Sequence, residues 1–239
     1  MSGGVRDVWV YLAATPLLWL TFTLAAYLAG MWIYGGLKLN PLANPVLIAI
    51  VIVVAVLTAT GTSYDTYFEG AQFVHFLLGP ATVALAIPLY RQVETLRRHA
   101  PAILASIAIG SATAVVTAIG AAWLFGGSPT TLLSIAPKSV TAPIAMALAE
   151  QIGGLPSLTA ELVVLTGITG AMLGPPVLNL LGITDWAARG LAIGTAAHGI
   201  GTARAVQVNE AAGAFAGLAM GLNGLLTAIL LPLLWRLFM

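Results

Sequence analysis

A lysine stands between two prolines in a stretch that otherwise has the composition of a membrane helix. The segment reads Pro137-Lys138-Ser139-Val140-Thr141-Ala142-Pro143. Because proline has no backbone N–H, Pro143 leaves the carbonyl of Ser139 without its helical partner, which predicts an interruption of the helix. The residues after Pro137 begin a new half-helix, whose free N–H groups carry partial positive charge. A bound anion would compensate the positive charge of Lys138 at that position. We therefore expect Lys138, Ser139 and Thr141 to bind a small carboxylate.

The lysine has two alternative explanations. Placing a lysine at the centre of a membrane helix costs roughly 2.5–3.5 kcal/mol on insertion scales, so something must compensate its charge. Lys138 could extend its ammonium to the membrane interface, or it could pair with Glu150 or Glu161. Neither alternative accounts for two prolines six residues apart with Ser139 and Thr141 between them, and we therefore favour the carboxylate site.

A second candidate segment is rich in glycine and contains a histidine. Residues 194–204 read GTAAHGIGTAR, in which Gly199 and Gly201 allow close backbone approach and local unwinding. His198 is the histidine that we expect deep in the membrane, where it and Thr202 could bind the α-oxygen of an acid, or His198 could carry a proton. The alternative is a neutral histidine bound to a neighbouring carbonyl, with the glycines serving helix packing.

Two further ionisable residues have weaker assignments. Arg204 is a candidate substrate-binding residue, as a second carboxylate anchor, and the alternative is an anchor at the membrane interface. Glu161 enters a long apolar segment and is a candidate proton carrier, although an interfacial position fits it better. The chain has no cysteine, no H-E-x-x-H spacing, no G-K-[ST] loop and no nucleophile elbow. We therefore expect no enzyme activity, cofactor or metal.

The composition predicts that membrane helices position these residues. Of 239 residues, 59% are hydrophobic and 7% are charged, against roughly 25% charged in an ordinary soluble domain. Nine Lys and Arg oppose eight Asp and Glu, which leaves no basic surface for nucleic acid. The composition predicts an all-α, polytopic membrane protein, and it excludes a soluble enzyme and disfavours a β-barrel.

Apolar segments along the chain alternate between simple and interrupted. Segments 8–30 and 46–60 look like uninterrupted spans. Segment 73–90 is broken by Gly79, Pro80 and Pro88, and it carries Thr82, a candidate substrate ligand. A long segment follows each interrupted one: 101–125 after the first, 155–181 after 130–151, and 213–238 after 188–207. This pattern predicts seven to eight transmembrane segments with internal, inverted repeats, and substrate bound where the breaks meet.

We interpret residues 1–239 as a single membrane domain. Residues 8–62 would form scaffold helices, 73–125 a first interrupted-helix unit, and 130–238 a core with two interrupted helices that moves against the scaffold in elevator fashion. The basic loop 91–99 is expected in the cytoplasm. If an interrupted segment is re-entrant, the topology on one side of it inverts.

Four stretches, in order, resemble the LrgB/CidB family of bacterial antiholin-like membrane proteins. They are FLLGPATVALAIPLYRQ (76–92), PKSVTAPIA (137–145), TGITGAMLGP (166–175) and ARGLAIGTAAHGIGTARA (188–205). The resemblance implies two activities. Family members were described as modulators of murein hydrolases and cell lysis beside a small holin-like partner, whereas a related plant plastid protein exchanges glycolate and glycerate, and some bacterial relatives look like pyruvate transport components. The family has commonly SHAIGT or SHALGT at 197–202 and PKSVTTP at 137–143, so this chain lacks one hydroxyl in each motif.

Two functions therefore compete. The first is a secondary carrier for small monocarboxylates such as glycolate, glycerate, lactate or pyruvate, coupled to protons through His198 or Glu161, or to sodium through freed carbonyls. The second is an antiholin-like regulator that acts on a holin-like (LrgA/CidA-type) partner. We favour the carrier, because packing against a partner gives no reason for a lysine between helix breakers. Both functions place the chain among lipids in the bacterial cytoplasmic membrane, and a homodimer is the base-rate expectation.

Overall fold

The computed structural model describes residues 16–37, 40, 43–77, 80, 83 and 86–238, and every regular element in these ranges is an α-helix. The predicted all-α class is thus confirmed. The helices, in chain order, are α1 Pro16–Gly36, α2 Pro45–Thr60, α3 Tyr64–Phe76, α4 Ala86–Arg91, α5 Val93–Leu124, α6 Pro129–Ile135, α7 Ala142–Ile152, α8 Pro156–Leu180, α9 Trp186–Val208 and α10 Glu210–Phe238.

Within these ranges, four helices are long and apolar enough to cross a membrane. A bilayer core needs about 20 apolar residues in a helix. The four segments are Pro16–Gly36, Arg97–Leu124, Pro156–Leu180 and Glu210–Trp235. Two shorter apolar helices, α2 and α7, accompany them. The chain is therefore a membrane protein, whereas seven to eight crossings and an internal repeat stay predictions.

The chain forms two compact units, residues 1–84 and 85–239. In the first unit, α1 packs against α2 and α3. The ring of Trp19 is buried and meets Tyr67 edge-on, with 5.9 Å between ring centroids. Asn44 caps α2 by accepting the N–H of Val46 at 2.9 Å. The charged side chains that the structure describes in this unit, Asp65 and Glu69 of α3, are exposed.

In the second unit, α10 is the central helix. Its Phe215 packs against Ile103 and Ile107 of α5, and its Leu231 packs against Ile152 of α7. Its most extensive contact is with α9. A Cβ added at Gly194 of α9 would overlap the carbonyl of Ala216, so only glycine permits this approach of the two backbones. This packing sets the position of the glycine-rich part of α9.

Ser134 fixes the end of α6 to the start of α8. Its hydroxyl accepts the N–H of Leu155 at 2.8 Å and donates to the carbonyl of Thr130 at 2.7 Å. The hydroxyl of Thr159 donates to the carbonyl of Ser134 at 2.9 Å. Because Ser134 is fully buried, these bonds hold the chain firmly just before the segment that contains Lys138.

Candidate functional site

The segment 136–141 separates α6 from α7 and forms turns rather than helix. The N–H of Lys138 donates to the carbonyl of Ile135 at 3.1 Å, and that of Val140 donates to the carbonyl of Pro137 at 3.2 Å. Pro143 lies in the first turn of α7, where a missing N–H is tolerated. The new half-helix therefore begins at Ala142, four residues beyond Lys138, and the prediction that it begins directly after Pro137 is wrong.

Asn223 of α10 binds the carbonyl that Pro143 leaves free. Its Nδ2 donates to the carbonyl of Ser139 at 3.0 Å, and both residues are buried. A buried carbonyl without a donor costs about 1–3 kcal/mol. Asn223 was not identified from the sequence, although a carboxamide in the middle of the apolar helix α10 is itself a signal, because polar groups are rare there.

The second interruption lies within α9, at His198. This residue has φ 40° and ψ −133°, and among the described non-glycine residues it alone has a positive φ. Such a conformation costs on the order of 1–3 kcal/mol, so its surroundings must hold it. Asn223 contributes here too, since its Nδ2 also donates to the carbonyl of Thr195 at 3.1 Å. One carboxamide thus joins both interruptions.

The imidazole of His198 is held against α8. Its Nε2 lies 2.9 Å from the carbonyl of Val163, and it must carry the proton because a carbonyl only accepts. A Cβ at Gly167 would lie 2.6 Å from Cε1 of the ring, so the glycine makes room for it. The hydroxyl of Thr202 donates to the carbonyl of His198 at 2.7 Å. Both side chains therefore bind backbone carbonyls, which agrees with the alternative of a histidine bound to a neighbouring carbonyl.

Lys138 has no acidic partner in the part of the chain that the structure describes. Its Nζ donates to the hydroxyl of Ser139 at 3.1 Å, and its side chain is half-buried. Glu150 and Glu161 are both exposed and form no ion pair with it. The carbonyl of Ser139 and that of Thr195, three residues before His198, both accept from Nδ2 of Asn223. The structure therefore brings Lys138, Ser139 and His198 into one region and does not show the alternative ion pair.

The remaining predicted residues lie around this region or outside the description. Thr141 and Gly199 are half-buried beside the two interruptions, and Gly201 is buried against Ala197. Arg204 is half-buried farther along α9. Pro80 is helical and exposed. Gly79 and Thr82 lie outside the described residues, so their predicted roles in the first break stay predictions.

Comparison with known proteins identifies the family. The model of the LrgB-like family matches residues 23–237. The uncharacterised protein YxaC of Bacillus subtilis is 36% identical over 226 residues, which cover 95% of this chain and 98% of the relative. The holin-like protein CidB of Staphylococcus epidermidis is 33% identical over 199 residues (83% and 87%). The antiholin-like protein LrgB of Bacillus mycoides is 32% identical over 219 residues (92% and 95%). No solved structure matches the chain.

The match spans every site residue described above, from Lys138 to Asn223. It therefore covers both interrupted segments and the helix that joins them. The sequence resemblance to LrgB and CidB proteins is confirmed: this chain belongs to the LrgB-like family.

Proposed function

We propose that this chain is a secondary carrier for small monocarboxylates. The observation that supports the proposal is the half-buried ammonium of Lys138, which lies in a helix interruption without an acidic partner among the described residues. A carboxylate would supply the missing negative charge. The half-helix that begins at Ala142 would add backbone N–H groups, as helix N-termini do for bound anions.

The two interruptions would bind different groups of the acid. Lys138, Ser139 and Thr141 would hold the carboxylate, and His198 with Thr202 would hold the α-oxygen. Because these last two side chains now bind backbone carbonyls, they would exchange those partners for the acid when it binds. Their neighbours Gly199 and Gly201 leave space for the acid near the backbone.

The carrier would alternate access by moving the interrupted helices relative to the uninterrupted ones. Protons carried by His198 or Glu161 would couple transport to the proton gradient. Glu161 is exposed on α8, outside the packed core of the unit. Replacing Glu161 with glutamine removes its ionisable carboxylate and leaves the buried His198 in place. Proton-coupled uptake by this variant would therefore test Glu161 separately from His198.

Transport into proteoliposomes tests the proposal. The protein is reconstituted and the uptake of labelled glycolate, lactate and pyruvate is measured. Lys138→Met should reduce uptake about 10-fold or more, because removing a charge-assisted hydrogen bond to the ligand costs about 1.5–3 kcal/mol. Arg98→Met removes a positive charge from an exposed position and should transport like wild type. Wild-type uptake by Lys138→Met would contradict the proposed anchor.

A second function is favoured by the names of the relatives. Homologues that cover most of the chain are called holin-like and antiholin-like proteins. We propose as the alternative that this chain regulates murein hydrolase activity and lysis by contacting a small holin-like membrane partner. Either function places it in the cytoplasmic membrane of a bacterium, and either allows a homodimer.

A further inference from the structure

Asn223 has one hydrogen-bonding atom that the protein leaves unused. Its Nδ2 group donates to the carbonyls of Ser139 and Thr195, whereas its Oδ1 has no hydrogen-bond partner among the residues that the structure describes. Only 1% of Asn223 is exposed. Buried polar atoms in proteins are nearly always paired, so a group other than the described protein atoms is expected to donate to this oxygen.

Asn223 and the proposed carboxylate anchor Lys138 both bind Ser139. Ser139 contacts both groups: its hydroxyl accepts from Nζ of Lys138 at 3.1 Å, and its carbonyl accepts from Asn223 at 3.0 Å. Because the carboxamide is planar and its NH₂ faces the two carbonyls, Oδ1 is directed away from them. A cation and a free acceptor on either side of one residue suit an acid of two or three carbons that carries a donor next to its carboxylate.

We propose that Asn223 is the specificity-determining residue of the site, and that its Oδ1 accepts a hydrogen bond from a neutral hydroxyl adjacent to the carboxylate of the ligand. This inference rests on the proposed carrier function. The ligand class is then 2-hydroxy acids. Asn223 binds the carbonyl of Ser139 in the turn segment 136–141 and that of Thr195 just before the kink at His198, so the acid would enter between these two places.

Other groups at the same carbon fit the site less well. A 2-oxo acid presents a carbonyl oxygen, which cannot donate and which repels Oδ1. A 2-amino acid presents an ammonium, which can donate but adds positive charge beside Lys138. The described residues around the site include no carboxylate to balance that charge. A site built to bind a hydroxyl also rejects an analogue that lacks it, because the acceptor is then left unpaired.

Four three-carbon acids of similar size test the inference on the full chain. Binding of lactate, pyruvate, propionate and alanine to the purified protein is measured by isothermal titration calorimetry. Wild type should bind lactate about 10-fold more tightly than propionate or pyruvate, and alanine least tightly, since one satisfied acceptor is worth about a factor of ten. Asn223→Leu should lose the preference for lactate over pyruvate, because His198 and Thr202 would still hold the α-oxygen of either acid. Thr227→Val should keep the wild-type preference, because it removes a buried hydroxyl one turn away that contacts Ser111 instead.

The outcomes separate this inference from the carrier proposal. If wild type binds none of the acids, the carrier proposal fails. If it binds lactate, propionate and pyruvate equally, or prefers alanine, the carrier proposal survives and the role of Asn223 is overturned. A wild-type lactate preference in Asn223→Leu would also overturn it. If this variant does not fold, the four affinities of the wild type alone decide.

Discussion

At the scale of single residues, the site depends on which buried groups have partners. His198 adopts a backbone conformation that non-glycine residues rarely accept, and Val163 and Thr202 hold it there through hydrogen bonds. Its ring also needs the space that Gly167 leaves. The histidine is therefore a positioned group, and its placement depends on a glycine of the neighbouring helix.

Replacing Gly167 with alanine should displace the His198 ring. The new Cβ would lie 2.6 Å from Cε1, so the hydrogen bond to Val163 would be lost or lengthened. We expect a loss of about 1–3 kcal/mol in stability, as for other overpacked cores, measured by thermal unfolding in detergent. Gly120→Ala, on α5 with open space around it, should unfold near the wild-type temperature. Equal temperatures for both variants would contradict the close contact.

At the scale of elements, proline decides where α7 begins. Pro143 keeps the carbonyl of Ser139 out of the helix, and that carbonyl becomes available to Asn223. The interruption is thus stabilised twice, by a residue that cannot donate and by another that replaces the lost donor. An interrupted helix inside a membrane persists only where protein satisfies its backbone groups in this way.

Restoring the N–H at position 143 should extend α7 towards Lys138. In Pro143→Ala the new N–H can donate to the carbonyl of Ser139 and compete with Asn223. We expect slower amide hydrogen exchange over residues 138–145 and weaker binding of carboxylates. Pro156→Ala is the matched control, because Pro156 also lies in the first turn of its helix, but the chain before it turns at Gly153 with φ 90°. Exchange in 138–145 that stays as fast as in wild type would argue against the proline as the cause of the break.

At the scale of the whole molecule, the carrier and the regulator predict different sensitivities. A carrier depends on the charge of Lys138, whereas a regulator depends on helix packing such as that of Gly194 against Ala216. Both are compatible with four helices, in the described part of the chain, that are long and apolar enough to cross a membrane, and with relatives of which some are named holin-like.

Lysis and transport measured in the same cells discriminate between the functions. We expect Lys138→Met to lose uptake of carboxylates and any effect on lysis together, at wild-type abundance, because the flux would cause the effect. Gly194→Val should lose both through misfolding, since its side chain would overlap the Ala216 carbonyl. Protein abundance, measured by quantitative blotting, distinguishes a loss of transport by a folded protein from a loss through misfolding. A Lys138→Met protein that controls lysis without transport would support the regulator.

Local sequence patterns predict part of the proposed site. Proline and glycine act on the backbone nearest to them, and a lysine is rare in an apolar stretch, so the segments around Lys138 and His198 could be singled out from local patterns. The break in α9 falls at His198 itself rather than at Gly199, because tertiary contacts with α8 hold the histidine in the unusual conformation. A local sequence pattern does not predict contacts between residues that are far apart in the chain.

The all-helical membrane class, the family and the two segments of the proposed site could be predicted from the sequence, because composition and helix-breaking residues act locally. The packing of α10 against the two segments is what lets Asn223, 84 residues beyond Ser139, join them. The same packing leaves Lys138 without an acidic partner within the described ranges. Both depend on which helices pack together, and that packing arises from contacts between residues far apart in the chain.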